Sequence, residues 1–400
     1  MSKITCVRTL RLPERPKLVW VEIETDEGLV GLGETFRGAA TVEAAIHELI
    51  APGLIGRDSR HIEAIVLELT TPYVGYHSAS AEIRAASAID IALWDLKGQR
   101  HGIPIHEALG GACRDRIRVY NTCAGYEFNT QQGARREIAD SDHAQGPYDD
   151  QLAFERDPAG LAISLVEEGY SAMKIWPFDR FARQQGANTI TLAEVEQGAE
   201  VFRKIREAVG TQIEVMCELH SLWDSAAALR ICQALESYDV YWVEDPLCKM
   251  DDAQALADLR SRTRVPICAS ETLGGAVAYR DLLNAGSLDY LMLDLVWCGG
   301  FTEGRKIAAL AQAYNKPLAP HDCTGPVALF AGLQLALHAP TAVLQEVVRA
   351  SLSTWYGELV THLPEIEKGF AAAPTRSGLG TALRPEVKQR ADAIIRQTSI

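Results

Sequence analysis

Hydrophobic and polar positions follow one regular rhythm over most of the chain. From about Gly169 onward, short apolar runs that each end in a polar residue alternate with amphipathic segments long enough to form helices. Seven such runs occupy residues 172–176, 213–218, 240–244, 266–271, 290–294, 317–321 and 343–346. Continuously apolar runs of this length are typical of parallel strands that are buried on both faces.

The spacing of these runs predicts the architecture. The polar residues that end them are 23 to 27 positions apart between Glu218 and Glu346, which is enough for one strand, one loop and one helix. Helical patterns lie between the runs at 192–208, 225–235, 252–259 and 302–314. With a first strand at 118–122, followed by a long loop at 140–158, the pattern predicts an α/β fold with a (β/α)₈ TIM barrel. An open doubly wound sheet is not indicated, because no glycine-rich phosphate turn follows the first strand.

The N-terminal part of the chain does not share this rhythm. Residues 17–24 and 29–34 flank a turn at Asp26-Glu27-Gly28 and predict a hairpin, and 85–100 is a helical pattern that we expect to end at Gly98. We therefore expect three segments. They are an N-terminal α+β domain over residues 1–115, the barrel over 116–368, and a tail over 369–400 that is too short to fold alone and returns to the N-terminal domain.

Composition narrows the class of protein. Hydrophobic residues make up 47% and charged residues 23%, which is typical of a folded globular chain. The formal charge of −14 argues against binding to nucleic acid or to an anionic membrane, because both depend on clustered cations. No apolar run approaches the roughly 18 residues of a membrane span, and the first residues lack a signal sequence. Nine scattered cysteines without a C-x-x-C pair predict reduced thiols in a cytoplasmic protein.

Three glutamates end three successive runs. Glu218, Glu244 and Glu271 should meet at the C-terminal mouth of a barrel, where active sites are built. A single acidic residue at a strand end often does no more than cap the next helix. Three convergent carboxylates without thiolates instead favour a hard divalent cation, and we expect Mg²⁺.

The neighbouring strand ends supply acid–base chemistry. Asp294 and His321 end the next two runs, so a carboxylate can orient an imidazole as a general base, although an isolated pair of this kind is often only structural. Lys174 on the second strand can hold a substrate carboxylate, and the alternative is a lysine that extends to solvent. His220 lies two positions after Glu218, on the same side, where it can protonate a leaving hydroxyl.

Six short motifs occur in a specific order along the chain. They are ALWDLKG at 92–98, LGG at 109–111, WVEDP at 242–246, SETLGG at 270–275, Asp294 with GG at 299–300, and PHDCTGP at 320–326. Over essentially its whole length the sequence resembles the enolase superfamily and, within it, the mandelate racemase-like acid sugar dehydratases. The resemblance implies an α+β capping domain over a modified TIM barrel, one Mg²⁺ per subunit, and removal of the proton α to a carboxylate.

The resemblance also assigns residues. Glu218, Glu244 and Glu271 match the metal ligands, Asp294 and His321 the base dyad, and Glu346 the acid that hydrogen-bonds the substrate carboxylate. His220 resembles the galactonate dehydratase pattern. The implied reaction converts a small sugar acid, aldonate or aldarate, into a 2-keto-3-deoxy acid. Relatives are usually symmetric assemblies, so a homo-oligomer is implied as well.

One position departs from the family pattern. Many relatives carry Lys-x-Lys on the second strand, whereas here Lys174 is followed by Ile175 and Trp176. Because tryptophan cannot titrate, a racemase with a base on each face of its substrate is disfavoured, and Trp176 becomes a candidate wall of the pocket.

Specificity is expected from loops of the capping domain. Arg37 in the segment 35–39, and Tyr76 and His77 in the segment 73–77, are candidates to bind substrate hydroxyls or a distal carboxylate. An ordinary surface loop explains these segments equally well. Trp297 is a further pocket candidate that is equally suited to the core.

Three rival functions remain open at this stage. An epimerase or cycloisomerase of acid sugars would use the same fold. A non-catalytic sugar-acid-binding relative would not need a general base. A metal-dependent barrel hydrolase would more often show a His-x-His pair near the first strand, where this chain has Asn121-Thr122-Cys123.

Overall fold

The computed structural model describes residues 2–70, 80–126, 128, 146, 148–185 and 189–399. Four antiparallel strands form a small sheet at one side of the molecule. These strands are β1 (Ile4–Arg11), β2 (Leu18–Thr25), β3 (Val30–Phe36) and β14 (Ile394–Ser399), in the order β14-β1-β2-β3. The hairpin predicted from the alternating pattern is the β2–β3 pair, with Leu18 opposite Phe36.

The helices of this capping region pack on the sheet. They are α1 (Ala39–Ala45), α2 (Ala51–Leu54), α3 (Ile62–Thr70), α4 (Ala81–His101) and α5 (Ile105–Leu109), with a π-helical turn at Ile46–Ile50 between α1 and α2. Helix α4 packs closely against the backbone of β3. A Cβ atom added to Gly33 would lie 2.0 Å from the carbonyl oxygen of Ala88, and only glycine fits there.

The prediction that α4 ends at Gly98 is wrong. The helix continues to His101 and ends at Gly102, whose φ of 66° is the left-handed conformation that glycine tolerates. Gly98 lies inside the helix because another segment of the chain approaches it closely. A Cβ atom at this position would lie 2.6 Å from the Cα atom of Gly378.

Eight parallel strands form the predicted barrel. They are β4 (Arg116–Thr122), β5 (Ala172–Ile175), β6 (Glu214–Glu218), β7 (Val243–Glu244), β8 (Ile267–Ala269), β9 (Tyr290–Leu293), β10 (Leu318–Pro320) and β11 (Gln345–Val347). Each of β4 to β9 pairs with the next strand along the chain, and β11 pairs with the free side of β4. Backbone hydrogen bonds of Leu318 with Thr341 and Val343 close the ring between β10 and β11.

Further helices alternate with the barrel strands or follow the last of them. They are α6 (Asp150–Arg156), α7 (Pro158–Glu167), α8 (Asp179–Gln185), α9 (Leu192–Val209), α10 (Ser225–Leu235), α11 (Ala253–Ser261), α12 (Gly275–Ala285), α13 (Leu295–Cys298), α14 (Gly300–Ala313), α15 (Pro326–His338), α16 (Arg349–Leu352), α17 (Tyr356–Leu359) and α18 (Pro385–Lys388), with a 3₁₀ turn at Glu236–Tyr238. The four predicted helices correspond to α9, α10, α11 and α14, within two residues at each end.

No helix in the described part of the chain combines the length and the apolar character that a membrane crossing requires.

The expected long loop at 140–158 is partly wrong. Residues 140–145 and 147 lie outside the described ranges, but Asp150–Arg156 forms helix α6 and Pro158 begins α7. The helix forms because Leu152 and Phe154 are buried against the barrel, which the polar composition of the segment conceals.

The chain leaves the barrel through a short hairpin, β12 (Ile366–Glu367) and β13 (Phe370–Ala372), and β13 pairs antiparallel with β4. The tail then reaches the capping sheet as β14. The exact domain limits at 115 and 368 stay a prediction.

Candidate active site

Three carboxylates converge at the C-terminal mouth of the barrel. Glu218 and Glu244 are the last residues of β6 and β7 and lie opposite each other in the sheet register, and Glu271 follows β8 by two residues. One oxygen atom from each of the three lies within 4.8 Å of the other two. Glu218 and Glu244 are buried, and Glu271 retains partial exposure toward the cavity.

The cluster fits a divalent cation. The Oε2 atom of Glu218 is buried and has no hydrogen-bond partner among the described residues, and its only cationic neighbour is Lys174 Nζ at 3.5 Å. Burial and the negative charge of Glu244 raise the pKa of Glu218 well above its usual value, and the charge of Lys174 opposes this shift only in part. Three oxygen donors without thiolates suit Mg²⁺, which leaves further coordination positions for water or substrate.

Lys174 lies at the centre of the acidic residues. Its ammonium group contacts Glu244 and lies 2.9 Å from Glu346 Oε1. Burial lowers the pKa of Lys174, but the charges of Glu244 and Glu346 outweigh burial and raise it well above its usual value. The lysine is therefore a fixed cation and does not extend to solvent, since its side chain is only 2% exposed.

His321 and Asp294 form a hydrogen-bonded pair one residue beyond β10 and β9. Asp294 Oδ2 lies 2.8 Å from His321 Nδ1, and Glu271 Oε2 lies 2.7 Å from Nε2. Burial lowers the pKa of His321, but the charges of Glu271 and Glu346 outweigh it and raise the pKa well above its usual value. A cation bound by Glu271 would weaken this effect and leave Nε2 available to accept a proton.

Glu346 on β11 completes the ring of charges. It accepts hydrogen bonds from the Thr122 hydroxyl and, at 3.1 Å, from the backbone N–H of Asp322. Its Oε2 atom is 3.8 Å from His321 Nε2. Burial raises the pKa of Glu346, but the positive charges of Lys174 and His321 outweigh burial and lower it.

His220 lines the same cavity as His321. Its φ of 51° is left-handed, an uncommon conformation for a residue with a side chain, and it turns the chain sharply after β6. Asp179 Oδ2 lies 2.9 Å from Nδ1, so His220 has an orienting carboxylate of its own. The two imidazoles are therefore presented to the cavity in the same way, each with a carboxylate behind it.

Trp176 forms an aromatic wall at the position of the second lysine of related enzymes. Its ring lies 5.4 Å from that of His220, 5.3 Å from Phe154 and 5.8 Å from Phe128. Tryptophan fixes the neighbouring imidazole by packing and offers no second base at this position.

One cavity collects most of the predicted site residues. Those that line it are Lys174, Trp176, Glu218, His220, Glu271, His321, Glu346 and Arg37. Glu244 and Asp294 lie behind this lining and are fully buried.

Trp297, the candidate equally suited to the pocket and to the core, is not among the residues that line this cavity. It packs in the core with Arg84 of α4 above its ring, at 5.1 Å from the ring centroid. Tyr76 and His77 lie outside the described residues.

Sequence reasoning missed seven of the described lining residues, among them Asp179, Gln151 and Lys17. Asp179 follows the end of β5 by four residues, and polar residues after a barrel strand are a signal that could have identified it. Gln151 carries no such signal, because it comes from a helix inside a segment whose composition predicts a loop.

Two family models and several curated relatives match the chain. The chain matches the family model for the N-terminal domain of mandelate racemase / muconate lactonizing enzyme over residues 8–110, and that described as enolase C-terminal domain-like over residues 159–387. A D-galactonate dehydratase of Ralstonia nicotianae is 33% identical over 94% of this chain and 91% of its own. A D-xylonate dehydratase of Haloferax volcanii is 30% identical over 96% and 87%.

Solved structures extend the likeness to the whole fold. An enolase protein from the environmental genome shotgun sequencing of the Sargasso Sea is 56% identical, with 100% of both chains covered and a TM-score of 0.90. An enolase of the mandelate racemase subgroup from Agrobacterium tumefaciens is 43% identical over 99% of both chains, with a TM-score of 0.88.

Proposed function

The chain belongs to the mandelate racemase / muconate lactonizing enzyme family of the enolase superfamily, and from this premise we propose that it is a Mg²⁺-dependent hydro-lyase of sugar acids. The reaction removes the proton at C2 and the hydroxyl at C3 and yields a 2-keto-3-deoxy acid. The observation that carries the proposal is the pair of imidazoles, His321 and His220, which line one cavity with the carboxylate cluster and each of which has a carboxylate at Nδ1.

Mg²⁺ held by Glu218, Glu244 and Glu271 would supply the positive charge that makes a proton next to a carboxylate removable. Lys174 binds the substrate carboxylate as a cation. Glu346 is assigned to the same carboxylate by the family resemblance, and it would have to take up a proton from solvent as the anion binds in order to donate that hydrogen bond. His321 Nε2 accepts the C2 proton, because Asp294 holds the ring through Nδ1.

His220 acts as the general acid in this scheme. It donates its proton to the C3 oxygen as the C–O bond breaks, and water leaves; Asp179 orients the ring through Nδ1. The remaining enol product then tautomerises to the 2-keto acid. Trp176 has no titratable group, so it cannot act as a second base opposite His321, as an epimerase would require.

Arg37 and Trp176 are proposed to bind substrate, since both line the cavity. One Mg²⁺ per subunit and a symmetric homo-oligomer stay proposals from the family resemblance.

The role of His220 separates dehydration from proton abstraction. A panel of aldonic and aldaric acids, assayed with Mg²⁺ for keto-acid formation, should first identify a substrate. With that substrate in D₂O, His220→Asn should lose dehydration by about 10²-fold or more while His321 still exchanges the C2 proton. His321→Asn is the matched variant and should lose both activities. Normal dehydration by His220→Asn would contradict the assignment.

A further inference from the structure

Gln151 lies in the first turn of α6 and lines the catalytic cavity. Its side chain is buried, with only 3% of the residue exposed. The Oε1 atom is buried without a hydrogen-bond partner, and the amide makes no hydrogen bond to any residue that the structure describes. A buried amide in this state costs free energy, because water no longer solvates it and no protein group replaces the water.

A rigid support holds this amide in place. The adjacent Asp150 forms a two-pronged ion pair with Arg349, with Nε–Oδ2 and Nη2–Oδ1 distances of 2.7 Å each. Asn121 at the end of β4 donates to Asp150 Oδ2 at 2.9 Å and accepts from the backbone N–H of Arg349 at 2.9 Å. Helix α6 is thereby tied to strand β4 and to the start of α16, which follows β11, so the backbone beside Gln151 is held on two sides.

We propose that Gln151 binds a hydroxyl group of the substrate beyond C3. The unpaired carbonyl oxygen requires a ligand group that donates a hydrogen, which a carboxylate cannot do at neutral pH. A hydroxyl both donates and accepts, so it can satisfy the oxygen and the NH₂ group of the amide together. This inference rests on the proposed function and narrows its substrate class to acids that carry a hydroxyl at one fixed position of the chain.

Gln334 provides a matched control. It is also a buried glutamine, but its amide is fully used: Oε1 accepts from the backbone N–H of His106 at 2.9 Å, and Nε2 donates to Leu379 at 3.1 Å. It lies away from the cavity lining. A structural glutamine and a substrate-binding glutamine can therefore be compared in one protein.

The test measures selectivity with acids that lack one hydroxyl at a time beyond C3. Wild-type kcat/KM should fall by about 10- to 100-fold for one of these deoxy acids, the usual effect of a lost neutral hydrogen bond in a buried site. Gln151→Ala should lose about the same factor on the parent acid, mainly in KM, and should no longer distinguish the parent from that deoxy acid. Its thermal midpoint should fall less than that of Gln334→Ala, which should keep wild-type selectivity.

The outcomes distinguish the role of Gln151 from the proposed dehydration reaction. Unchanged selectivity in Gln151→Ala, in a wild-type enzyme that dehydrates the parent acid, overturns the role of Gln151 alone. If the wild type dehydrates none of the acids, the same comparison is made by calorimetric binding in the presence of Mg²⁺; selectivity lost in the variant then supports Gln151 while the proposed reaction fails. Absence of both turnover and binding overturns both.

Discussion

Asp294 holds Nδ1 of His321 so that the other ring nitrogen, Nε2, faces the carboxylate cluster. Asp294 Oδ2 is 2.8 Å from Nδ1, and Nε2 points to Glu271 Oε2 at 2.7 Å. The orientation of His321, the proposed general base, therefore depends on a residue that does not itself line the cavity.

Asp294→Asn tests this dependence. The amide keeps the shape of the side chain and can still accept the hydrogen bond from the backbone N–H of Val296, but it removes the charge that supports a protonated His321. We expect kcat for dehydration to fall by about 10²- to 10⁴-fold with a small change in KM. Steady-state kinetics measures both constants, and a kcat within twofold of wild type would show that His321 acts without Asp294.

Removal of divalent cations should weaken the fold as well as stop the reaction. A cation that binds the folded chain alone stabilises it by about 2.7 kcal/mol at a concentration of 100 times its Kd. Added Mg²⁺ should therefore raise the thermal midpoint of chelated protein, and Glu218→Gln should remove most of that increase. Asp258→Asn, at an exposed ion pair with Arg262, is the control and should respond like wild type. An equal response in Glu218→Gln would exclude the cluster as the site.

Close packing of β3 on α4 predicts a steric limit. Gly33→Ala would place a methyl group 2.0 Å from the Ala88 carbonyl oxygen, so strand and helix must separate. The expected cost is about 1–3 kcal/mol or more of the free energy of unfolding. Gly53→Ala is the matched control, because nothing lies within 4 Å of its added methyl group. Thermal unfolding of the two variants should differ clearly, and equal midpoints would contradict the packing.

Three buried carboxyl groups predict how stability depends on pH. Burial raises the pKa of Glu34, Asp90 and Asp95 to about 7 each, although backbone N–H donors oppose the shift. These groups bind more protons in the folded state than in the unfolded state between about pH 4 and pH 7, since a free carboxyl has a pKa near 4. The free energy of unfolding should consequently fall as pH rises, by about 1 kcal/mol per group between pH 6 and pH 8.5.

Asp95→Asn isolates one of these contributions. The amide cannot ionise, so the decline of stability between pH 6 and pH 8.5 should become smaller by about 1 kcal/mol, whatever the absolute stability of the variant. Denaturant titrations at several pH values measure the slope. A variant with the same slope as wild type would show that Asp95 keeps an ordinary pKa in the fold.

Much of this protein follows from local pattern. The spacing of apolar runs predicts the barrel, because each βα unit needs a fixed length of chain and each strand must be apolar on both faces. The same rule brings Glu218, Glu244 and Glu271 together, since parallel strands end at one mouth. The motif order identifies the family without any coordinates.

Only the tertiary structure decides the remaining features, because they depend on contacts between distant segments. Helix α4 continues past Gly98. The residue at this position is glycine because Gly378, 280 positions later, leaves no room for a side chain. Trp297 is buried under Arg84 of the capping helix α4 and is not among the residues that line the cavity. Gln151 lies at the site because Arg349 forms an ion pair with the adjacent Asp150. The two charged residues are 199 positions apart, so no periodicity in the sequence predicts their contact.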